Sequence, residues 1–509
     1  MRQCVPVYLG AALLACVGLA GCVFYLNPLC NDQVRNGNET DVDCGGGTCG
    51  PCNLGDSCRK DPDCDDGICV SGTCTPLPCA NGKLDPGETD VDCGGATCSK
   101  CAGGRTCASN SDCFSDSCVA SSHTCFELAN VSFADQVSYP SGVKSYALFA
   151  GDLDGDGRVD LVAANELDST LSVFLGTGTG TFQALVSGSA AYPTGAYPTG
   201  GGIYDFNHDG IPDVITADYH GNSVSILFGT KSGMSPGKGT GALAGLRSFP
   251  TRDDGETSNL AVGDLNGDGN LDVIAVNPAV IVPAAASVSQ FMGRADGTLD
   301  PAITAPVGIA GNSSPFSVTI GDFDGNGTKD VAVADNVNGP VIVKLGNGDG
   351  TFQAEAPYSS GGIGATFIIT YDMNLDGKLD LVCANRNSDN VSVLLGRGDG
   401  TFRKAIITAL GPKPLPANVP AQIGPYTIAV ADFNRDGVPD VVTSDYLTSS
   451  ATVLLGVGNG HFEAPIDAGA VGMSTYGLAV GDFNDDSKPD FATSNALSND
   501  VTVKLNTSH

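Results

Sequence analysis

Seven short acidic stretches contain the residues of this chain that are best suited to chemistry. Six follow the pattern Asp-x-Asp/Asn-x-Asp/Asn-Gly-x-x-Asp, and the seventh differs from it only at the glycine. Their first residues are Asp152, Asp205, Asp264, Asp322, Asp372, Asp432 and Asp482. In such a turn the side chains at positions 1, 3 and 5 converge, the carbonyl of position 7 adds a ligand and the position 9 aspartate completes the shell. Carboxylate-rich oxygen ligands suit a hard cation, and Ca²⁺ tolerates irregular shells better than Mg²⁺. The pattern therefore predicts up to seven calcium loops.

The candidate ligands are the residues at positions 1, 3, 5, 7 and 9 of each loop. In chain order they are Asp152, Asp154, Asp156, Arg158, Asp160; Asp205, Asn207, Asp209, Ile211, Asp213; Asp264, Asn266, Asp268, Asn270, Asp272; Asp322, Asp324, Asn326, Thr328, Asp330; Asp372, Asn374, Asp376, Lys378, Asp380; Asp432, Asn434, Asp436, Val438, Asp440; and Asp482, Asn484, Asp486, Lys488, Asp490. A glycine at position 6 permits the left-handed turn, and Ser487 replaces it in the seventh loop. We therefore expect the seventh site to be the weakest.

Two other interpretations of the loops are weaker. An EF-hand needs a glutamate at position 12 and a helix after it. Position 12 here falls in strand-like runs, at Ala163, Thr216, Ala275, Val333, Cys383, Thr443 and Thr493. Metal-free turns rich in Asp and Asn are the second alternative, and a common register in seven copies argues against it.

The loops belong to a longer repeat, whose successive starts lie 53, 59, 58, 50, 60 and 50 residues apart. A β-type run precedes each loop, a second follows it, and a third leads into a glycine turn that often ends in Thr-Phe, as at Phe352 and Phe402. A less regular stretch closes the repeat. Four short strands at this period are typical of a blade. The sequence predicts an all-β fold, a seven-bladed β-propeller over residues 131–509.

The two ends of the repeat region complement one another. The last repeat stops after the run Val501–Leu505 and lacks the fourth strand. The segment Phe133–Tyr139 resembles the stretch that follows Phe352 in a complete repeat. We expect residues 131–140 to supply the outer strand of the last blade, because this pairing closes the ring and protects a sheet edge.

These repeats resemble FG-GAP repeats, whose bacterial version is often called VCBS and which build the propeller of the integrin α subunit. The resemblance covers residues 131–509. It implies calcium at positions 1, 3, 5, 7 and 9 of each loop, where the metal stiffens the blades. It implies function only loosely, because similar propellers serve in adhesion, in lectin binding and beside enzymes.

Sixteen of the 20 cysteines predict two small disulfide-rich modules, at residues 30–78 and 79–126. They are Cys30, Cys44, Cys49, Cys52, Cys58, Cys64, Cys69, Cys74 and Cys79, Cys93, Cys98, Cys101, Cys107, Cys113, Cys118, Cys125, with the same spacing up to the seventh cysteine. Modules this small need staples, and an exported chain meets oxidising conditions, so disulfides are favoured over zinc. The pairing stays open. The modules resemble cysteine-rich repeats of bacterial surface proteins, which implies a role in spacing or protein contact. Cys383 stands alone and is interpreted as a buried structural thiol.

The N-terminus predicts export and a lipid anchor. Arg2 precedes an apolar run that closes with Leu19-Ala20-Gly21-Cys22. This string resembles the bacterial lipoprotein box, which implies a signal peptide at 1–21, acylation of Cys22 and a tether at 22–29. An ordinary secretory signal is the alternative. Because Val23 is not a retention aspartate, the outer membrane or cell surface of a bacterium is the expected location.

Charge and composition narrow the function. With 57 Asp and Glu against 25 Lys and Arg, the formal charge of −32 argues against nucleic-acid partners. The chain lacks His-Glu-x-x-His, so we expect no catalytic residues and no other cofactor. The expected function is a non-catalytic surface lipoprotein that binds a protein or glycan ligand through a propeller face. A calcium-dependent lectin is the alternative, with Tyr204, Tyr371, Tyr219 and Tyr446 as candidate platforms. A polysaccharide-degrading enzyme or its accessory module is a weaker one.

Overall fold

The computed structural model describes residues 131–509, apart from 187–190, 232–237, 252–255, 279–285, 309–312, 338 and 412–421. Nearer the N-terminus it describes residues 52, 56–59, 63–64, 67–76, 79, 83–84, 87–95, 98 and 100–126. The predicted signal peptide, the tether, Cys22 and the first cysteines of the first module lie outside these residues. The chain divides into two compact units, residues 1–100 with 106–108 and residues 101–105 with 109–509. Within the described part, no helix has both the length and the apolar character needed to cross a bilayer.

Disulfides and short hairpins organise the cysteine-rich region, which confirms the prediction of bridges. Strands β1 (Gly67–Val70) and β2 (Thr73–Pro76) form an antiparallel hairpin in the first unit. In the second unit, β3 (Cys118–Val119) pairs with β4 (Thr124–Cys125), and a 3-10 helix spans Asn110–Asp112. The described bridges within the units are Cys58–Cys69, Cys64–Cys74, Cys79–Cys98 and Cys113–Cys125. Cys64–Cys74 and Cys113–Cys125 both join the sixth and eighth cysteines of their sets, so the repeats share this pairing.

Seven antiparallel sheets form the blades, in chain order from inner to outer strand. Strand β5 (Val137–Pro140) comes first in the chain and belongs to the last blade. The strands of the first three blades are β6 (Ser145–Gly151), β7 (Asp160–Asn165), β8 (Thr170–Gly176), β9 (Phe182–Val186) and β10 (Tyr192–Pro193); β11 (Pro198–Tyr204), β12 (Asp213–Asp218), β13 (Ser223–Lys231) and β14 (Gly239–Pro250); and β15 (Asn259–Gly263), β16 (Asp272–Asn277), β17 (Ser287–Phe291) and β18 (Ile303–Pro306). Blade one has a fifth strand because both β9 and β10 pair with β8.

The remaining blades each have four strands. They are β19 (Pro315–Gly321), β20 (Asp330–Asp335), β21 (Pro340–Lys344) and β22 (Ala356–Ser359); β23 (Ala365–Tyr371), β24 (Asp380–Asn385), β25 (Asn390–Leu394) and β26 (Ile406–Ala409); β27 (Pro425–Ala431), β28 (Asp440–Asp445), β29 (Ser450–Leu454) and β30 (Ile466–Ala470); and β31 (Thr475–Gly481), β32 (Asp490–Asn495) and β33 (Asp500–Lys504), which β5 completes. A 3-10 helix at Arg386–Ser388 follows β24. The seven-bladed prediction is confirmed.

The second strand of each blade is buried along its whole length. All six residues of β7, β12, β16, β20, β24, β28 and β32 are buried, because a neighbouring blade covers each face of the sheet. These strands are rich in Val, Ala and Ile, which suit a strand packed on both sides. Seven apolar clusters fill the spaces between successive blades. Cys383 lies in one of them, and burial raises the pKa of its thiol to about 12, so the interpretation as a structural thiol is confirmed.

The ring closes through the N-terminal segment, as the repeat ends predicted. Strand β5 pairs antiparallel with β33, with Ser138 opposite Thr502. The pairing extends to a bridge between Phe133 and Asn506, and the Phe133 ring meets that of Phe491 with centroids 4.9 Å apart. The inner strand β31 of blade seven contacts β6 of blade one, so the inner strands form an unbroken circle.

A side-chain hydrogen bond joins the second strand to the third in six blades. The sequence reasoning missed it. Each second strand ends in Asn or Asp, and a hydroxyl seven residues later bonds to it. The pairs are Asn165–Ser172, Asp218–Ser225, Asn277–Ser289, Asn385–Ser392, Asp445–Thr452 and Asn495–Thr502, of which Asn277–Ser289 has a longer spacing. In blade four the third strand offers Ile342 instead, and Oδ2 of buried Asp335 has no partner within the described residues. An Asx followed by Ser or Thr at this spacing is a signal that could have been found.

Candidate metal loops and channel mouth

Each metal loop joins the inner strand of a blade to its second strand and is wound around its first aspartate. In loop one, Asp152 Oδ1 accepts the N–H groups of Gly155 at 2.7 Å and Asp156 at 3.0 Å. Its Oδ2 accepts the Gly157 N–H at 2.8 Å. In the other six loops the position 6 N–H likewise donates to the position 1 carboxylate, at 2.7–2.9 Å. The loops therefore share one backbone conformation.

The position 9 aspartate has a structural role besides its predicted role as a ligand. One carboxylate oxygen accepts the position 2 N–H of its own loop at 2.7–3.0 Å in all seven blades. The other accepts a later N–H at 2.7–2.8 Å, which lies sixteen residues on in six blades and comes from a glycine in five of these and from Asn506 in blade seven. In blade three the donor is Gly293, twenty-one residues on. Each carboxylate therefore fixes the loop to the turn after the third strand.

Positions 1, 3 and 9 bring their oxygens together. In loops one and four, oxygens of Asp152, Asp154, Asp160 and of Asp322, Asp324, Asp330 lie within 4.8 Å of one another. Asparagine occupies position 3 in the other loops and offers a neutral oxygen there. Such a donor set fits Ca²⁺, which takes carboxylate and amide oxygens in irregular shells. The site residues remain a prediction, because they rest on the pattern and this convergence.

Position 5 contacts the other side of the loop. Asp156 Oδ1 accepts the Arg158 N–H at 2.9 Å, and its Oδ2 pairs with the Arg158 guanidinium at 3.0 Å. Lysine at position 7 makes a similar but longer pair in loops five and seven, at 3.6 Å in both. These cations reduce the repulsion among the acids of their loops, as a bound metal would do more strongly.

The sixth loop is shielded by residues of the same compact unit. Asn434 and Asp436 are 2% and 1% exposed, and the Gly103 N–H donates to Asp436 Oδ2 at 2.9 Å. Burial is the main cause that raises the pKa of Asp436 to about 6. The Phe114 carbonyl leaves no room for a side chain at Gly437. The repeat pattern gave no sign of this cover.

Burial and neighbouring carboxylates raise the pKa of the position 9 aspartates. Desolvation is the largest cause and the aspartates at positions 1, 3 and 5 add to it, while the backbone N–H groups partly offset both. The pKa reaches about 6 at Asp160 and Asp213 and about 7 at Asp380 and Asp490. An ionised carboxylate at these positions is therefore destabilised until a cation neutralises it.

We expect the metal-free protein to lose stability as the pH rises. The folded pKa lies above the ordinary value near 4, so the folded state holds more protons between pH 4 and 7 and its free energy of unfolding falls across that window. Urea unfolding in a chelator should give a higher midpoint at pH 5 than at pH 7.5. With calcium the order should reverse, because protons compete with the metal. Equal chelated midpoints at the two pH values would contradict the raised pKa.

Ser487 keeps the loop conformation at a cost in strain. Its φ of 64° matches the left-handed glycines of the other loops, and its N–H still donates to Asp482 at 2.7 Å. We expect Ser487→Gly to stabilise the protein by about 1 kcal/mol, since a side chain disfavours this region. Urea unfolding with and without calcium measures the gain.

The reverse substitution is the matched control. A Cβ at Gly377 in loop five would meet no atom within 4 Å, although φ there is 81°. Gly377→Ser should therefore reproduce the strain alone and destabilise the protein by about the same 1 kcal/mol. If both variants leave the midpoint unchanged, the proposed weakness of the seventh loop is wrong.

The second residue of each loop links neighbouring blades. Leu153, Phe206, Leu265, Phe323, Met373, Phe433 and Phe483 are all buried. The Phe483 ring meets Phe182 of blade one at 5.3 Å, and the Gly180 N–H donates to the Phe483 carbonyl at 2.8 Å. Phe323 and Phe402 repeat the ring contact at 5.4 Å. A change at one metal loop therefore reaches the next blade.

The opposite end of the central channel is rich in tyrosine. The inner strands run toward the metal loops, so the starts of these strands and the ends of the second strands share the other face. Four tyrosines there, Tyr146, Tyr426, Tyr446 and Tyr476, form what we call the tyrosine cluster. Tyr146 stacks on Tyr476 with centroids 4.4 Å apart, and its hydroxyl bonds to that of Tyr426. Behind the cluster lies a cavity of about 120 Å³ lined by all seven inner strands.

Charged residues lie around the tyrosine cluster. We call the cluster, together with Lys144, Glu166, Tyr219, His220, Glu256 and Arg386, the channel mouth. The Arg386 guanidinium carbon lies 5.1 Å from the ring centroid of Tyr446 and 5.9 Å from that of Tyr426. Glu166 pairs with Lys144 at 2.6 Å. Glu256 bonds to Tyr219, and its Oε1 lies 3.3 Å from His220 Nδ1.

The four tyrosines named from the sequence have different environments. Tyr219 and Tyr446 lie in the channel mouth. Tyr204 packs against Phe206 at 6.0 Å near the core, and burial raises its pKa. Tyr371 is 43% exposed beside a metal loop. The sequence reasoning missed Tyr146, Tyr426 and Tyr476, each of which is the second residue of its inner strand. All three lie six residues before the first aspartate of their loop, and this shared position is a signal that could have been found.

The repeats match a known family model, and the chain is similar to several solved structures. The family model described as FG-GAP-like repeat matches residues 152–216, 205–275, 324–382, 372–443 and 432–493. No curated protein matches the chain. Among solved structures, an Agrocybe aegerita lectin that recognises non-reducing terminal N-acetylglucosamine is 18% identical, with a TM-score of 0.45 over 72% of this chain and 97% of its own. A catalytically inactive virginiamycin B lyase from Staphylococcus aureus with quinupristin is 12% identical, with a TM-score of 0.44 over 73% and 99%.

The family match and the geometry coincide. The matched segments cover both the loops and the strands that flank them, and together they span more than half of the chain. The chain therefore belongs to the family of FG-GAP-like repeat proteins.

Proposed function

We propose that this protein is an exported, lipid-anchored surface protein that binds a ligand through one face of a calcium-stabilised propeller and has no catalytic role. The observation that carries the proposal is that the two faces of the propeller differ in their residues. The acidic loops lie at one end of the inner strands, and the aromatic, charged channel mouth lies at the other. Concave sites with aromatic walls and a few convergent polar groups are typical of ligand binding.

The environment of the acidic residues favours a scaffold over an active site. Both oxygens of every position 9 aspartate accept backbone N–H groups, so these carboxylates hold the loops in place. His208 and His461 are exposed on surface turns and have no carboxylate partner in the described part of the chain. Among the described residues, the carboxyl groups with a raised pKa lie in the loops, except for buried Asp218 at the end of β12, which three hydroxyl groups bond. A pair that could cleave a glycoside would need a cleft around it.

A lectin is the second candidate, and the tyrosine cluster favours it. Tyrosine rings offer an apolar face with a hydroxyl at the edge, which suits a sugar ring. Binding to a protein would use the same amphipathic surface, since tyrosine and arginine are also enriched in protein interfaces.

A glycan array and a pulldown from the same preparation test the proposed function. We expect the calcium-loaded protein to bind either a set of glycans or a specific protein, with loss of binding in chelator. A blank array together with an empty pulldown would overturn the proposal. Turnover of a bound polysaccharide by the purified chain would overturn its non-catalytic part.

The anchor is tested separately through Cys22. We expect Cys22→Ser to abolish incorporation of labelled fatty acid and to release the protein from the membrane fraction, because the thiol carries the lipid. Cys16→Ser, within the apolar run, is the matched control and should leave labelling unchanged. Labelling that persists in the Cys22→Ser variant would favour the ordinary secretory signal.

A further inference from the structure

The guanidinium of Arg386 lies beside two aromatic rings and has no hydrogen-bond acceptor among the described residues. It lies against the rings of Tyr446 and Tyr426, and no carboxylate or carbonyl of the described residues accepts a hydrogen bond from it. Its backbone N–H is bonded to the Gly364 carbonyl at 2.9 Å, which fixes the start of the side chain. In a chain with 57 acidic and 25 basic residues, an arginine without a carboxylate partner is unexpected.

The shape of this group selects its partner. A guanidinium presents parallel N–H donors that match the two oxygens of a carboxylate, and stacking on aromatic rings preorganises it for that geometry. By contrast, Lys144 on the same face already pairs with Glu166 at 2.6 Å and 2.8 Å. Arg386 is therefore the cation of the channel mouth that is open to an anionic ligand.

The same mouth also offers an acceptor. Oε2 of Glu256 is buried and has no hydrogen-bond donor among the described residues, while Oε1 faces His220. An ionised carboxylate of this kind accepts hydrogen bonds only, so its complement is a ligand with hydroxyl or N–H groups. The tyrosine hydroxyls can both donate and accept.

We propose that the channel mouth binds a saccharide that carries a carboxylate, with Arg386 pairing with that carboxylate and the half-buried rings of the tyrosine cluster packing on the sugar ring. This inference rests on the proposed ligand-binding function and assigns it a place and a ligand class. A uronic-acid sugar supplies one carboxylate for Arg386 and several hydroxyls for Glu256 and the tyrosines. An acidic peptide fits less well, because it would bring further carboxylates close to Glu166 and Glu256 on a protein of charge −32.

Arginine variants test the assignment. The probe is an oligosaccharide of glucuronic acid and N-acetylglucosamine, compared with the same oligosaccharide after reduction of its carboxyl groups, by calorimetry on the calcium-loaded protein. We expect Arg386→Gln to weaken binding of the acidic form about tenfold or more, as loss of a charged hydrogen-bonded pair implies. Arg386→Lys should fall between the two, because the charge stays and the planar fork is lost. The reduced oligosaccharide should bind more weakly and should not respond to either variant.

Arg397→Gln is the matched control. Arg397 lies in the same blade, after β25 and so at the metal-loop end, and the substitution changes the charge equally. It should leave binding unchanged, and a melting curve for each variant confirms that the ring is intact. Equal binding by wild type and Arg386→Gln would overturn the proposal, as would a preference for the reduced oligosaccharide.

The outcomes separate this inference from the proposed function. If hexaglutamate binds with the same dependence on Arg386 and the oligosaccharides do not, the ligand class is wrong and the site stands. If the pulldown captures a protein and no oligosaccharide binds, the inference fails while the ligand-binding function remains. Absence of any ligand in array, pulldown and calorimetry overturns both.

Discussion

Removal of calcium by a chelator at pH 7.5 is expected to lower the melting temperature by roughly 20 °C. A ligand that binds only the folded state at a hundredfold excess over its Kd adds about 2.7 kcal/mol per site, and seven sites add several times that amount. The effect should be this large because the loops are linked. Each position 9 aspartate joins its loop to a later turn, and each position 2 side chain packs between blades. Differential scanning calorimetry of calcium-loaded and chelated protein measures it.

Magnesium and a loop variant make this test specific. Magnesium at the same concentration should restore less stability, because it demands a near-octahedral shell. Asp324→Asn introduces at position 3 of loop four the residue that five other loops already carry, so the fold should tolerate it. The variant should lower the calcium-dependent gain and leave the chelated melting temperature nearly unchanged. Identical melting curves with calcium and with chelator would exclude metal stabilisation.

Deletion of residues 131–140 is expected to be the most damaging change to the ring. It removes β5, leaves the edge of β33 unpaired and takes away the Phe133 ring, which meets Phe433 at 5.8 Å and Phe491 at 4.9 Å. An unpaired edge also invites association between chains. We expect a large fall in melting temperature together with oligomers in size-exclusion chromatography.

Two point variants distinguish the loss of the contacts made by residues 131–140 from the effect of merely shortening the chain. Phe133→Ala should destabilise the protein by about 3 kcal/mol, the low end for a buried phenylalanine, because the ring is partly buried. Val137→Ala is the matched control, since Val137 is 45% exposed and should lose little. If the deletion leaves the melting curve unchanged, the segment does not close the ring in solution.

Periodicity made the fold and the loops predictable. The motif recurs seven times, so its register, the four strands and the missing fourth strand of the last blade could be inferred from one another. The burial of Cys383 could be predicted because this residue lies in a strand that both neighbouring blades cover. In a repeated sequence, a structure predicted for one copy can be tested against the other copies.

The channel mouth follows the repeat only in part. Tyr146, Tyr426 and Tyr476 share one repeat position, six residues before the loop, but other residues hold that position in the remaining four blades. The three side chains meet only because the ring of blades closes. The environment of Arg386 depends on the rings of Tyr426 and Tyr446, which lie some 40 to 60 residues later in the chain. The cover of the sixth loop by Gly103 and Phe114 depends likewise on distant contacts. The disulfide pairing needed geometry, since spacing allows many pairings.

The seam between β5 and β33 has a consequence for biogenesis. It joins strands that lie 364 residues apart at Ser138 and Thr502, so blade seven is finished only after every other blade has been synthesised. Contacts of such long range form late and slow the folding of a chain. A protein that crosses a membrane unfolded would therefore have to postpone circularisation until translocation is nearly complete.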